Sequence, residues 1–414
     1  MMIADHSKIK VLHLITLSVV GGAQDNTFST AELHDRTRFD VHLACNPDGA
    51  WLERARKSAD SFHPIPTLVT PINPLKDLRA FLQLVRLLRR ERFDLVHTHT
   101  AKAGFLGRLA CWVARVPTVV HTYHAFPFHD FMARWRQRLF IALERWACPI
   151  TDFFITLSDR DREFAHGLKI LRVEDAETVY TGIAFDKLDR AAPPHLTRAK
   201  LNIPEDWQVV MTAGRLEPQK APHLLIEAFS QVVAEHPKTL LLLAGEGELR
   251  PLVEQKIAEF GLQEHVRLLG VRDDVPDLLR LADVFAFSSL WEAMGRALVE
   301  AMLLGRAVVA PSIYGIPEIV HHEETGLLYE VGKVDQLAAG ISRLLKHPEE
   351  RDRIGANARR LTRQRFDLNQ MVWQIENIYE RLVPQSVRPI EYLPLPLPPN
   401  VVPLPIEEEK QLSA

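Results

Sequence analysis

Phe285-Ala286-Phe287-Ser288-Ser289-Leu290-Trp291-Glu292-Ala293-Met294-Gly295-Arg296-Ala297-Leu298-Val299-Glu300 passes from an apolar run through a polar break into a helical pattern that Gly305 stops. A strand thus feeds a helix through a turn, as in sheets whose helices lie on both faces. Glu292 falls just before the helix, and Glu300 is expected two turns inside it. A turn of this kind aims unpaired backbone N–H groups and the positive end of a helix dipole at the space beyond the strand tip, which suits a phosphate. Two carboxylates beside an anion site point to hydroxyl binding.

Working outward, the same alternation of short β-rich runs and helical patterns fills the chain. Strands are predicted at 9–15, 41–44, 95–97, 119–122, 153–156 and 178–180, and again after Pro193-Pro194 at 209–213, 240–244, 266–268, 284–287 and 308–310. The fold class is therefore α/β, with two doubly wound, Rossmann-like parallel-sheet domains. Its 414 residues are too many for one ordinary core. Residues 1–190 form the first expected domain and 191–367 the second, with a final helix at 368–382 packing back on the first. Pro394, Pro396, Pro398, Pro399, Pro403 and Pro405 make 384–414 a Pro-rich disordered tail. Ligands in open α/β sheets sit beyond the carboxyl ends of the strands, so two facing sheets enclose a cleft.

Composition excludes several classes. Cys45, Cys111 and Cys148 are odd in number and unpaired in spacing, which argues against a disulfide framework and for a reducing cytoplasm. The apolar run 11–20 contains His13, Thr16 and Ser18 and ends in Gly21-Gly22-Ala23, so it reads as a first strand with a Gly-rich turn rather than a signal peptide. No stretch is long and apolar enough to span a bilayer. Up to residue 195 there are 26 Lys+Arg against 22 Asp+Glu, a modest excess that does not make a nucleic-acid footprint. The basic residues gather in two helical stretches, 79–92 and 131–146, the second mixing Arg134, Arg136, Arg138 and Arg145 with Phe131, Trp135, Phe140 and Trp146. Such helices suit either packing on a sheet or lying on an anionic membrane surface.

The second half carries the more specific chemistry. Ala213-Gly214-Arg215-Leu216-Glu217-Pro218-Gln219-Lys220 places two cations five apart where a strand gives way to a helix. A forked guanidinium and a point-charge ammonium can together neutralise a diphosphate without a metal ion. Ala244-Gly245-Glu246-Gly247 ends another strand in a turn that permits close ligand approach. His97, His99, His121 and His124 are clustered, but no acidic or cysteine ligand stands near them, so no metal site is expected.

Taken together, the Gly21-Gly22-Ala23 loop, His97-Thr98-His99-Thr100-Ala101-Lys102-Ala103-Gly104 with Gly107-Arg108, Val120-His121-Thr122-Tyr123-His124-Ala125-Phe126, Tyr180-Thr181-Gly182-Ile183, Gly214-Arg215 with Lys220, and the glutamate pair resemble the retaining glycosyltransferases of family 4, of GT-B architecture. The resemblance runs over about residues 10–382. It implies that Arg215 and Lys220 hold the donor diphosphate, Glu300 the ribose hydroxyls, and Glu292 the donor sugar hydroxyls. The amides of Met294, Gly295 and Arg296 would face sugar or phosphate, and the base would lie by the backbone of Val271 and Arg272. His124 would approach the transferred sugar, and Gly22 the diphosphate and acceptor. The implied activity is retaining transfer from a nucleotide sugar, with UDP the expected nucleotide, to a glycan or polyprenyl-diphosphate-linked acceptor in surface polysaccharide synthesis. No cofactor is implied, since the nucleotide sugar is a substrate. The setting would be cytoplasmic, with a peripheral contact on the inner face of the membrane. The family usually has glycine where this chain has Ala293, a change expected to tighten the turn and alter the donor sugar that fits. A catalytically silent nucleotide-sugar-binding subunit and a nucleotide-sugar 2-epimerase share the architecture, and the intact Arg215, Lys220, Glu292 and Glu300 favour transfer over both.

Overall fold

A computed structural model describes residues 8–189, 198–292 and 294–383. The tail 384–414, the Pro193-Pro194 junction and Ala293 lie outside the described residues. Thirteen strands, β1 (Ile9–Leu17), β2 (Phe39–Asn46), β3 (Ser61–Pro64), β4 (Leu95–His99), β5 (Thr118–Tyr123), β6 (Phe153–Thr156), β7 (Ala176–Thr178), β8 (Gln208–Ala213), β9 (Thr239–Ala244), β10 (Val266–Gly270), β11 (Val284–Ala286), β12 (Ala307–Pro311) and β13 (Leu327–Tyr329), form two sheets. Their orders are β3-β2-β1-β4-β5-β6-β7 and β10-β9-β8-β11-β12-β13. Every pairing between these strands is parallel. The doubly wound α/β expectation is thus met.

Three details of the sequence reading change. The strand read at 178–180 lies two residues earlier as β7, because its register with β6 ends at Thr178 and only the Val179 amide still reaches the sheet, donating to the Thr156 carbonyl at 2.9 Å. The edge strands β3 and β13 have no counterpart in the sequence reading: each is three or four residues long, too short for a period to show. The helix after β11 begins at Arg296, so Glu300 sits one turn inside it rather than two.

In each sheet the strand order reverses once, between β1 and β4 in the first and between β8 and β11 in the second. Loops leaving neighbouring strands at these points turn to opposite faces and open a crevice. The helices that follow, Gly22–Leu33, Ala101–Ala114, Pro222–Glu235 and Arg296–Leu303, all begin there. One face of the first sheet is covered by the helix Leu368–Leu382, whose Met371, Val372, Ile375 and Tyr379 pack with Val11, Leu95 and Val120. Glu318 of the second unit accepts from the Asp159 and Arg160 amides at 3.0 and 2.6 Å, at the start of the first unit's helix Asp159–Gly167. A carboxylate there meets the positive end of the helix dipole.

Two buried polar systems hold the first sheet's helices. Arg108, fully buried, donates to Glu144 at 2.7 Å and to the Gly104 carbonyl at 2.9 Å, and Tyr123 also donates to Glu144 at 2.7 Å. This cluster ties the basic helix Arg134–Ala147 to β5 and to the helix Ala101–Ala114. Gly104 is required beside it, since an added Cβ would stand 2.4 Å from the His121 ring. The second system is a set of histidines. His13 of β1 lies in register with His97 of β4, and the rings of His13, His97, His99 and His121 are buried. Burial holds all four far below the ordinary imidazole range, and it lowers the His124 ring to about 4.

Glu144→Ala would leave the Arg108 guanidinium buried without its counter-ion. We expect a loss of about 3–5 kcal/mol in denaturant unfolding, larger than for Arg108→Met with Glu144→Leu together. The histidines predict a pH effect. Their folded pKa values lie below the unfolded value of about 6.5, so the unfolded chain takes up the extra protons and stability falls as pH drops below that value. Each fully buried ring that stays neutral costs about 2 kcal/mol between pH 6.5 and 5. Urea midpoints should therefore fall steeply from pH 7 to 5; a flat profile would mean that the rings are charged in the fold.

Candidate active site

The crevice of the second unit is built on the tips of β8 and β11. After β8, Gly214 and Arg215 lead through a short turn to Lys220, and after β11 Ser288 to Glu292 run beside that turn. The two loops are stitched together: the Leu290 amide donates to the Gln219 carbonyl at 2.8 Å, the Gln219 amide side chain to the Trp291 carbonyl at 3.0 Å, and Ser288 to the Lys220 carbonyl at 2.8 Å. That lacing brings two opposite charges into contact. Lys220 ion-pairs with Glu292, which also accepts from Ser289 at 3.2 Å, and the Lys220 ammonium lies 5.2 Å from the centre of the Phe287 ring. Arg215 is different in character: it is 60% exposed and bonds Glu217 at 2.7 Å, so its guanidinium stands at the mouth of the crevice.

Gly295 has φ +75°, and an added Cβ would meet Phe287 at 2.8 Å. Both facts demand glycine. The turn it makes starts the helix Arg296–Leu303, and among the described residues the amides of Met294, Gly295 and Arg296 have no hydrogen-bond partner. The Met294 side chain is buried among Phe287 and Leu298, so only its backbone serves the crevice. One turn on, Glu300 pairs with Arg296 at 2.8 Å. Burial pushes its carboxyl above the ordinary range, and Arg296 opposes that shift. Val271 and Arg272 follow β10 on the same edge. Val271 is exposed, and Arg272 is engaged by Asp274 at 2.5 and 2.7 Å. Glu292, Lys220, Arg296, Glu300 and the Gly295 turn are thus brought together, while Arg215 and the 271–272 segment form the rim.

The first unit faces this crevice with its own switch point. Gly22 opens the helix Gly22–Leu33, and a Cβ there would meet nothing within 4 Å, so its smallness serves space rather than packing. At the tip of β4, Thr100 has φ 63° and ψ 162°, a region almost confined to glycine, and its hydroxyl bonds Thr16 at 2.8 Å. Strain on the order of 1–3 kcal/mol is held there at the carboxyl end of a central strand. His124 follows β5, with its Nε2 bonded to His99 Nδ1 at 3.0 Å.

Two contacts across the cleft were not anticipated. Arg296 ion-pairs with Asp25 of the first helix, which also takes Arg54 at 2.5 Å, giving an Arg54–Asp25–Arg296–Glu300 run of alternating charge. Trp291 stacks on His129, ring centres 3.9 Å apart and planes 4° from parallel. Asp25 and His129 carry no local motif; only the fold places them opposite the second unit. His13 was missed for a similar reason, since within an apolar run it reads as a core residue. With His97 and His99 it puts three ligand-type nitrogens within 4.8 Å of one another, a grouping the sequence reading did not foresee. All six of their ring nitrogens are already hydrogen-bonded, to one another's neighbours, to Tyr379 and to Thr122. The three cysteines are buried and free.

Comparison with known proteins agrees with this geometry. A family model described as glycosyl transferases group 1 matches residues 195–361, and one described as glycosyltransferase family 4 matches residues 20–187. The UDP-Gal:alpha-D-GlcNAc-diphosphoundecaprenol alpha-1,3-galactosyltransferase of Escherichia coli is 30% identical over 386 residues, covering 91% of this chain and 98% of that one. The capsular polysaccharide biosynthesis glycosyltransferase CapM of Staphylococcus aureus is 25% identical, with the same coverage. Among solved structures, Anabaena HepE in complex with UDP and glucose superposes with a TM-score of 0.79 at 26% identity, covering 90% of this chain and all of that one. With relatives matched over almost their entire length and both sheets accounted for, the chain belongs to the group 1, family 4 glycosyltransferases.

Proposed function

We propose that the protein transfers a sugar from a UDP-sugar to a glycan or polyprenyl-diphosphate-linked acceptor during surface polysaccharide synthesis. The observation that carries this reading is the laced pair of loops that sets Lys220, Glu292 and the unpaired amides around Gly295 at one strand switch point. The activities of the Escherichia coli and Staphylococcus aureus relatives and the UDP and glucose bound to HepE support it.

In this reading Arg215 and Lys220 take the diphosphate, with the amides of Met294, Gly295 and Arg296 completing an anion cradle. Lys220 exchanges Glu292 for phosphate oxygens, and Glu292 is released to accept sugar hydroxyls. Glu300 takes the ribose hydroxyls, and the base lies by Val271 and Arg272. As the bond to the anomeric carbon breaks, negative charge grows on the departing phosphate oxygen, where both cations stabilise it. These cations supply the charge that a metal ion would otherwise supply, so the reaction is metal-independent. No carboxylate is assigned as a nucleophile: the departing phosphate oxygen takes the acceptor hydroxyl's proton as that hydroxyl attacks the same face, so configuration is retained. The acceptor enters from the first unit, past Gly22 and the segment that follows β5.

The membrane reading has its own support. Trp135, Leu139 and Trp146 on the basic helix Arg134–Ala147, with Phe131 just before it and Trp112 nearby, are 47–65% exposed. Aromatic rings among arginines suit the headgroup zone of an anionic bilayer, placing the enzyme peripherally on the cytoplasmic face.

Lys220→Ala should lower turnover of UDP-galactose or UDP-glucose by roughly 100- to 1,000-fold while the melting temperature stays near that of the parent; near-normal turnover refutes its role. Proton NMR of the product should show the donor's anomeric configuration, and an inverted product would sink the retaining mechanism. Flotation with phosphatidylglycerol vesicles should carry the protein upward, with Trp135→Ser and Trp146→Ser together abolishing it; no flotation of the parent argues against the membrane contact.

A further inference from the structure

A line of four imidazoles crosses the first unit from its C-terminal helix to the cleft. Glu376, buried on the helix Leu368–Leu382, uses Oε1 to accept from the Asp35 amide at 2.8 Å and to contact His34 Nδ1 at 3.0 Å. His34 Nε2 lies 3.0 Å from His13 Nε2, His13 Nδ1 lies 3.1 Å from His99 Nε2, and His99 Nδ1 lies 3.0 Å from His124 Nε2. Each inner ring therefore uses both nitrogens, one toward each neighbour.

A neutral imidazole carries one N–H and one lone pair, so a nitrogen-to-nitrogen contact is a hydrogen bond only when one ring donates and the other accepts. The direction of the whole line then follows from its buried end. Glu376 Oε1 already accepts from the Asp35 amide, so His34 Nδ1 is the donor to it. With His34 neutral like the rings beyond it, its Nε2 accepts, His13 Nε2 donates, His13 Nδ1 accepts, His99 Nε2 donates, His99 Nδ1 accepts, and His124 Nε2 donates. His124 Nδ1 is left with its lone pair. Among the described residues that atom has no hydrogen-bond partner, and it is not sealed from solvent.

We propose that Glu376, His34, His13 and His99 are positioning residues that lock His124 as the Nε2–H tautomer and present its Nδ1 lone pair to the cleft as an acceptor for a hydroxyl of the transferred sugar. The sugar contact rests on the role beside the transferred sugar that the family resemblance implies for His124; the tautomer lock rests on the distances and on neutral rings. Burial favours the neutral rings that the alternation requires, holding His13 and His99 far below the ordinary imidazole range and His124 at about 4. The arrangement gives the C-terminal helix a part in the site that its distance along the chain conceals. It also fixes ring orientation, because turning His124 over would aim a carbon at His99 and break the line.

The test reads the tautomer directly. In protein with nitrogen-15 histidine, two-bond proton–nitrogen spectra should show His124, assigned by its loss in His124→Asn, with protonated Nε2 and bare Nδ1. Glu376→Gln, whose amide oxygen still accepts from His34, should keep that pattern. Glu376→Leu should convert His124 to a mixture of tautomers and lower kcat/KM for UDP-galactose hydrolysis roughly five- to tenfold, the loss of about one oriented hydrogen bond. If Glu376→Leu does not fold, His34→Phe deletes both nitrogens while keeping a ring against Phe39 and Tyr379. A bare Nε2 or a mixed tautomer in the parent, or a pattern untouched by either variant, overturns the lock. A changed tautomer with unchanged kcat/KM leaves the lock standing and overturns the sugar contact.

Discussion

Parallel strands in a doubly wound sheet must change winding direction once, and that constraint shapes this molecule. Where the order reverses, between β1 and β4 and again between β8 and β11, adjacent loops part, and at the second reversal the amides of Met294, Gly295 and Arg296 are left without partners among the described residues. Elsewhere the helices cover the sheet faces and bury the strand tips. The groups of chemical interest gather at the two reversals because only there can polar backbone face a ligand without being sealed into a core. Thr100, held in a glycine-like conformation at one reversal, and Gly295, with positive φ at the other, put left-handed backbone at both places.

Charge at these tips is arranged in opposed pairs. Lys220 faces Glu292, and Arg296 is shared between Glu300 and Asp25. A carboxylate or ammonium stripped of water and left alone costs several kcal/mol, so groups gathered to bind a charged, hydroxyl-rich molecule need internal partners. Such pairs can be exchanged for ligand contacts with little net change in the number of charged hydrogen bonds. Arg215 needs no such partner at depth because it stands at the rim, where water and Glu217 satisfy it.

Most strands were legible in the sequence because parallel strands are buried on both faces and appear as continuous apolar runs. Leu240 to Ala244 and Phe153 to Thr156 needed no tertiary knowledge. β3 and β13 were not legible, since edge strands of three or four residues leave no run to read. In the site, the local motifs around Arg215, Lys220, Glu292 and Glu300 were readable because each spans a single strand-to-helix turn. Asp25, His129, His13 and His34 were not, because their partners lie 271, 162, 86 and 342 residues away, and no periodicity encodes such separations. One signal was present: His13 stands between Val11-Leu12 and Leu14-Ile15 in the buried middle of the first strand, and a polar residue there must find a partner.

The histidine cluster shows why clustering alone does not decide chemistry. Three nitrogens within 4.8 Å have the proximity of a metal site, yet coordination needs free lone pairs pointing inward. His97 has both nitrogens taken, by the Tyr379 hydroxyl at 2.5 Å and by Thr122 at 2.6 Å, while His13 and His99 bond to the next ring on each side. A cation there would have to break several buried hydrogen bonds, each costing about 1–3 kcal/mol to leave unmade. Hydrogen-bonded to capacity, the same rings serve better as a rigid line of alternating donors and acceptors. Its direction is set at the buried end, where Glu376 Oε1 on the helix Leu368–Leu382 accepts from both the Asp35 amide and His34.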